Sequence, residues 1–191
     1  MTFSIKSALV AAALLMPTTT FAQSLALTPA SPQPKAADLS PGLAVVYAYP
    51  HDVKNVRSAK KALKRGKPGP AIAGLSYDDN KEGDPVLTAD KTSKVAAGIT
   101  GFIKFDAPGA YVLDFLNNDG LQISIGGQEV GFYDQVHACG YAGEQDVTVP
   151  QAGYYALEAI YFQRKGSACL MMEWGPDSDG LELVPDDAFF H

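Results

Sequence analysis

The chain has 191 residues, a net charge of −6 and 47% hydrophobic residues. That is enough apolar content for one cored domain with a tail, and too little length for several domains. The acidic balance excludes generic nucleic-acid binding, which needs a basic surface.

At the N-terminus, Lys6 precedes the apolar run Ala8–Met16. A membrane-spanning helix needs about 20 apolar residues, roughly twice this run. Thr20-Phe21-Ala22 fits cleavage before Gln23. Residues 1–22 therefore read as a removable signal peptide, and the mature protein is expected to be periplasmic or secreted, without a transmembrane anchor. Residues 23–40 are rich in Ala, Ser, Pro and Leu, with prolines at 29, 32 and 34. Such a composition predicts a flexible, extended or disordered tether. The folded domain is expected over residues 41–191.

Gly42 to Tyr49 is a β-rich run closed by Pro50. After it, residues 52–67 (DVKNVRSAKKALKRGK) carry seven of the fifteen Lys and Arg residues. One reading is a patch for an anionic surface such as acidic polysaccharide or lipid head groups. The plainer reading is a short solvated helix or loop inserted between strands, with only Val53, Val56 and Leu63 as an apolar stripe.

Strand signals then follow in series. Val95–Phe105 places Ile99, Ile103 and Phe105 on one face and Phe102 and Lys104 on the other. Pro108-Gly109 marks a turn before Tyr111, Leu113 and Phe115. Leu121, Ile123 and Ile125 alternate with polar residues, and Gly126-Gly127 is a two-residue hairpin signal before Gln128–Val130. Val147 and Val149 precede Pro150, and Gly153 opens a strand bearing Tyr155, Leu157, Ala159 and Tyr161. Leu170, Met172 and Trp174 share one face of the last strong strand, which places Trp174 in the core. Many short strands with Gly/Pro turns and little helix predict an all-β fold, an antiparallel sandwich or barrel.

Two cysteines are present, Cys139 and Cys169. In an exported protein an even count favours a disulfide between them, stabilising by about 3 kcal/mol. The other reading is two separate buried thiols, each packing as a small hydrophobe.

The ordered series Gly109-x-Tyr111-x-Leu113-x-Phe115, Asn118-Asp119-Gly120-x-x-Ile123-x-Ile125-x-Gly127-x-x-Val130, Gly153-x-Tyr155-x-Leu157-x-Ala159-x-Tyr161 and Leu170-x-Met172-x-Trp174 resembles the protective-antigen amino-terminal-fragment domain family. The similarity covers about residues 41–191. The resemblance implies a β-sandwich with loops at one end. In sugar-binding members of the family, two consecutive aspartates before the glycine hold a calcium ion through a cis peptide, and the ion ligates sugar hydroxyls. Calcium suits that task because it is hard and accepts many oxygen ligands in flexible geometry.

Here Asn118 replaces the first aspartate and only Asp119 keeps its carboxylate. Asn118 and Asp119 are thus the candidate calcium ligands, with lower affinity expected from the lost charge. Alternatively, Asn118-Asp119-Gly120 is a tight turn whose side chains satisfy local backbone groups. The aromatic and polar loop from Gly131 to Asp146 adds Tyr133, Asp134 and His137 to the candidate ligand-binding set, beside Asn117, Asn118 and Asp119.

An enzyme is not expected. The chain has three histidines, and it lacks a Gly-x-Ser-x-Gly elbow, a phosphate-cradling glycine loop and His-Glu-x-x-His. Two functions remain open: an exported carbohydrate-binding module for a glycan or polysaccharide, calcium-assisted, or an envelope structural or protein-interaction module with no metal site.

Overall fold

A computed structural model describes residues 24–191. The signal-peptide reading of residues 1–22 lies outside the described residues. Strand β1 is Leu25–Ala26 and β2 is Ala44–Ala48; helix α1, Val56–Leu63, follows. Short strands β3 (Lys67–Pro68) and β4 (Ser76–Tyr77) lead to the long β5 (Val95–Phe105) and β6 (Gly109–Asn118). Then come β7 (Gly120–Ile125), β8 (Gln128–Tyr133), β9 (Gly140–Tyr141) and β10 (Gln145–Val149). The chain ends with β11 (Gly153–Gln163), β12 (Cys169–Gly175), β13 (Glu182–Leu183) and β14 (Phe189–Phe190).

These strands form two sheets packed face to face. One runs β1-β10-β6-β12-β13, with β4 and β9 added on β12 and β6. The other runs β3-β2-β5-β11-β7-β8, with β14 added on β5. The fold is a sandwich, not a closed barrel. The period-two alternation sets what faces inward. Tyr155, Leu157, Ala159 and Tyr161 of β11 meet Leu113 and Phe115 of β6 and Leu170 and Met172 of β12 in one buried cluster. Gly126 and Gly127 both take positive φ, 56° and 78°, which is the two-residue hairpin conformation that glycine permits.

The basic run folds as a helix on the outer face of the second sheet. Asn55 caps it, its side chain accepting from Ser58 N–H at 2.8 Å. Val53, Val56 and Ala59 bury themselves against Ala48, Ala96 and Phe162, a small cluster outside the main core.

The expectation of a flexible tether over residues 23–40 is not met by its described part. Strand β1 pairs parallel with β10, Leu25 opposite Val147. Leu27 is 2% exposed and packs into the main core. Farther on, Ala30 N–H donates to Tyr154 O at 2.9 Å, and Ser40 exchanges backbone hydrogen bonds with His191. The alternation of Leu25 and Leu27 supplies an apolar face, and the edge of β10 supplies free backbone groups to pair with it. Trp174 also departs from expectation. It is only half-buried, packed on Phe105 and Tyr111 at ring-centroid distances of 5.3 and 6.0 Å. It borders an open cleft of about 580 Å³.

Candidate functional site

The chain crosses from one sheet to the other at a single residue, Asp119, between the end of β6 and the start of β7. The Asn118–Asp119 peptide bond is cis. Several elements converge on this corner. Asn118 pairs with Cys169 of β12, and Asn117 pairs with Leu170 of β12 and Gly140 of β9. Asp119 N–H donates to Phe162 O at 2.9 Å, and the Tyr161 hydroxyl donates to Asn118 O. Burial pushes that phenol well above its usual range, so it stays a donor. Glycine follows because space requires it: a Cβ at Gly120 would lie 2.2 Å from a ring carbon of Phe162.

Asn117, Asn118 and Asp119 are all buried. One carboxylate oxygen of Asp119, Oδ2, accepts the backbone N–H of Arg164. Burial raises the Asp119 pKa, opposed by the N–H groups of Arg164 and His137 and by the charge of Arg164. Asn117 Nδ2 donates to Asp119 O at 2.7 Å and faces His137 Nε2 at 3.1 Å. An amide donor on Nε2 calls for the neutral imidazole, which is the direction in which burial pushes His137. Asn118 Nδ2 reaches Ser167 Oγ at 3.3 Å. The amide oxygens of Asn117 and Asn118 are buried and have no hydrogen-bond partner. Such atoms are uncommon, because desolvating an unpaired acceptor costs about 1–3 kcal/mol.

Of the predicted set, the structure brings Asn117, Asn118, Asp119, Tyr133 and His137 together. The Tyr133 ring stacks on the His137 imidazole, centroids 3.8 Å apart and planes 21° apart. Asp134 does not join them. Its carboxylate accepts the N–H of Val56 in the first turn of α1, where a helix N-terminus favours negative charge. Cys139 and Cys169 form a disulfide that ties the His137 loop to the start of β12. Asp79 lies within 4.8 Å of both sulfurs, but sulfurs bonded to each other are not thiolate ligands.

Three residues escaped the sequence reading. Arg164 bridges Asp119 to Asp52, its Nε lying 2.9 Å from Asp52 Oδ1. Ser167 contacts Asn118, and buried Gln163 donates to the carbonyls of Gly166 and Ser167. All three lie at or in the turn between β11 and β12. The only signal there was a Lys165-Gly166 turn between two predicted strands.

In oxygen chemistry the corner fits a hard cation: one carboxylate stands beside an amide oxygen that lacks a donor. The residues that would hold calcium are Asn118 and Asp119, with part of the Asp119 carboxylate already taken by Arg164.

Solved structures of similar fold include a PA14 domain of the MpAFP antifreeze protein, 16% identical with a TM-score of 0.65, covering 82% of this chain and 93% of that one. A PA14 sugar-binding domain from an RTX adhesin is 18% identical with a TM-score of 0.64, covering 80% and 99%. The Epithelial Adhesin 9 A domain from Candida glabrata, in complex with Galb1-3GlcNAc, is 15% identical with a TM-score of 0.66, covering 88% and 96%. No curated protein matches the sequence. The family model of the PA14 domain matches residues 41–188, and the chain belongs to that family.

Proposed function

We propose that this chain is an exported carbohydrate-binding module whose site is the Asn118–Asp119 corner, assisted by calcium. The observation that carries the reading is that the amide oxygens of Asn117 and Asn118, the two residues preceding Asp119, are buried and have no partner. A cation or a ligand hydroxyl would satisfy them. Calcium held by Asn118 and Asp119 would supply a hard Lewis-acidic centre able to take further oxygen ligands. Around it, the chain supplies flat surfaces suited to sugar rings: the Tyr133–His137 stack, and Tyr141, which is 57% exposed on β9. The sugar-binding neighbours support the same reading, and the disulfide fits an oxidising, extracytoplasmic compartment. The role is binding rather than catalysis, since Asp119 is engaged by backbone donors and His137 by Asn117.

A second reading is favoured by one observation. Asn117, Asn118 and Asp119 are almost fully buried, and the amide nitrogens and Asp119 Oδ2 are engaged within the chain, as expected of a corner in an envelope structural or protein-interaction module.

Calcium titration calorimetry on residues 23–191, run beside Asp119→Ala and followed by a glycan screen with and without calcium, separates the two. Saturable binding at up to millimolar calcium, lost in the variant and required for glycan capture, supports the module. Absence of heat from two folded proteins, with no glycan retained, overturns it in favour of the second reading.

A further inference from the structure

Helix α1 turns Val56 and Ala59 into the sheet and leaves its other flank to solvent. Arg57, Lys60, Lys61, Lys64 and Arg65 are exposed there, and Lys67 follows on β3. None of these six forms an ion pair among the described residues; in this segment only Lys54 does, with Asp52 at 3.4 Å. Seven bases against one acid give residues 52–67 an excess of six positive charges, while the rest of the chain, with eight bases and twenty acids, carries an excess of twelve negative charges. A face that merely needs solvating mixes both signs. The helix dipole accounts for Lys60 and Lys61 in the last turn, but not for Arg57, Arg65 and Lys67.

Each flank of the helix opens into a cleft with an exposed aromatic ring. On one side Tyr49, 46% exposed, is stacked on Tyr47 with ring centroids 6.4 Å apart. Tyr47 is itself fixed by a 2.9 Å hydrogen bond to Thr88. Tyr49 borders a cleft of about 940 Å³ together with Lys61, Lys64, Arg65 and Lys67. On the other side Phe132, 49% exposed, shares a cleft of about 610 Å³ with Arg57, Lys60, Lys61 and Lys64, and with Asp134, whose carboxylate is engaged by the Val56 N–H. Gln122 lines that second cleft, and its buried Oε1 has no partner. Lys61 and Lys64 form the ridge between the two clefts.

We infer that α1 and its two clefts form a second binding site, for an acidic polysaccharide bearing carboxylate or sulfate groups. The ridge cations pair with the anionic substituents. Tyr49 and Phe132 offer apolar faces to the C–H surfaces of sugar rings. A membrane surface fits less well, because the apolar stripe of α1 is spent on the sheet and the aromatic rings stand in clefts. Nucleic acid fits less well too. Its charge density, about one charge per 1.7 Å for a duplex, meets the acidic remainder of the chain. The site uses neither Asn118 nor Asp119 and does not rest on the calcium reading.

The test is binding of the protein to a heparin-derived octasaccharide and an oligoguluronate, with chelator present, at about 50 mM and about 300 mM salt. We expect saturable binding at low salt that weakens about tenfold or more at high salt, as counterion release requires. The triple variant Lys60→Ser, Lys61→Ser, Lys64→Ser should lose about tenfold or more and show a shallower salt dependence. Tyr49→Ala should lose roughly three- to tenfold with the salt dependence unchanged, because stacking involves no ion release. Leu183→Ser, at an exposed position on β13 of the other sheet, should bind as the wild type does. The inference is overturned by absence of binding at low salt, by a folded triple variant of unchanged affinity, by loss of binding in a folded Leu183→Ser, or by tighter binding to oligothymidylate or to phosphatidylglycerol vesicles.

Discussion

The backbone N–H of Arg164 donates to Oδ2 of Asp119, so the one carboxylate retained at the corner also anchors the turn between β11 and β12. Its removal therefore acts on the fold before it acts on any ligand. We expect Asp119→Ala to lower the unfolding free energy by about 1–3 kcal/mol, the cost of leaving that N–H unpaired. Asp119→Asn keeps an acceptor and should cost less. If the corner holds calcium, the ion raises the wild-type melting temperature by mass action and fails to raise that of Asp119→Asn, which has lost the last carboxylate. Urea unfolding and thermal melts with and without calcium read both effects.

Arg164 reaches farther, to Asp52 at the approach to α1. The hydrogen bond and charge of Arg164, helped by Lys54, hold the Asp52 carboxyl down at about 2 against an ordinary 3.8. A carboxyl with a depressed folded-state pKa contributes stability above its unfolded pKa and loses that contribution as pH falls through the folded value. Wild type should therefore exceed Asp52→Asn in melting temperature by a constant margin from about pH 7 to about pH 5, and the margin should close as pH approaches about 2. A margin independent of pH would mean that Asp52 acts through packing alone.

The strands were legible because period-two alternation is local: Leu121, Ile123 and Ile125, or Tyr155 to Tyr161, declare their buried face without help from distant residues. The corner was legible as a string of residue types, Asn117-Asn118-Asp119, together with Tyr133 and His137 from the following loop. Its donors were not. Arg164 approaches Asp119 only because β11 lies beside β7, and neither the sequence separation of 45 nor a Lys/Gly turn announces the pairing. Asp134 shows the reverse error. Its proximity in sequence to Tyr133 suggested the site, yet the N-terminus of α1, far off in sequence, claims its carboxylate.

Gly120 offers a sharper test of how tightly the corner is packed. A methyl group there would lie 2.2 Å from Phe162 Cε1 and 2.8 Å from the Tyr133 carbonyl oxygen. Phe162 has nowhere to retreat, being fully buried beneath α1 among Val53, Val56 and Ala59. We expect Gly120→Ala to destabilise by about 1–3 kcal/mol, as overpacking does. Phe162→Leu should recover part of that loss, so a double-mutant cycle should return a favourable coupling between the two positions.

The segment 24–40 allows a clean contrast between a tether and a structural strand. Leu27 N–H donates to Thr148 O and Thr28 N–H to Gly126 O, both at 2.9 Å. The Gln33 amide holds Tyr154 in both directions, accepting its N–H at 2.8 Å and donating to its carbonyl at 3.0 Å. Leu27 is buried between these bonds, so its side chain contributes about 2 kcal/mol of apolar burial. Truncating it to alanine should cost about 2–4 kcal/mol, the range for a buried leucine. A chain beginning at Pro34 should melt lower still, because it exposes the edge of β10 as well as the Leu27 pocket. Both variants are read by urea unfolding beside residues 24–191. A true tether would leave the midpoint unchanged in each, and that result would return residues 24–33 to the role of a linker.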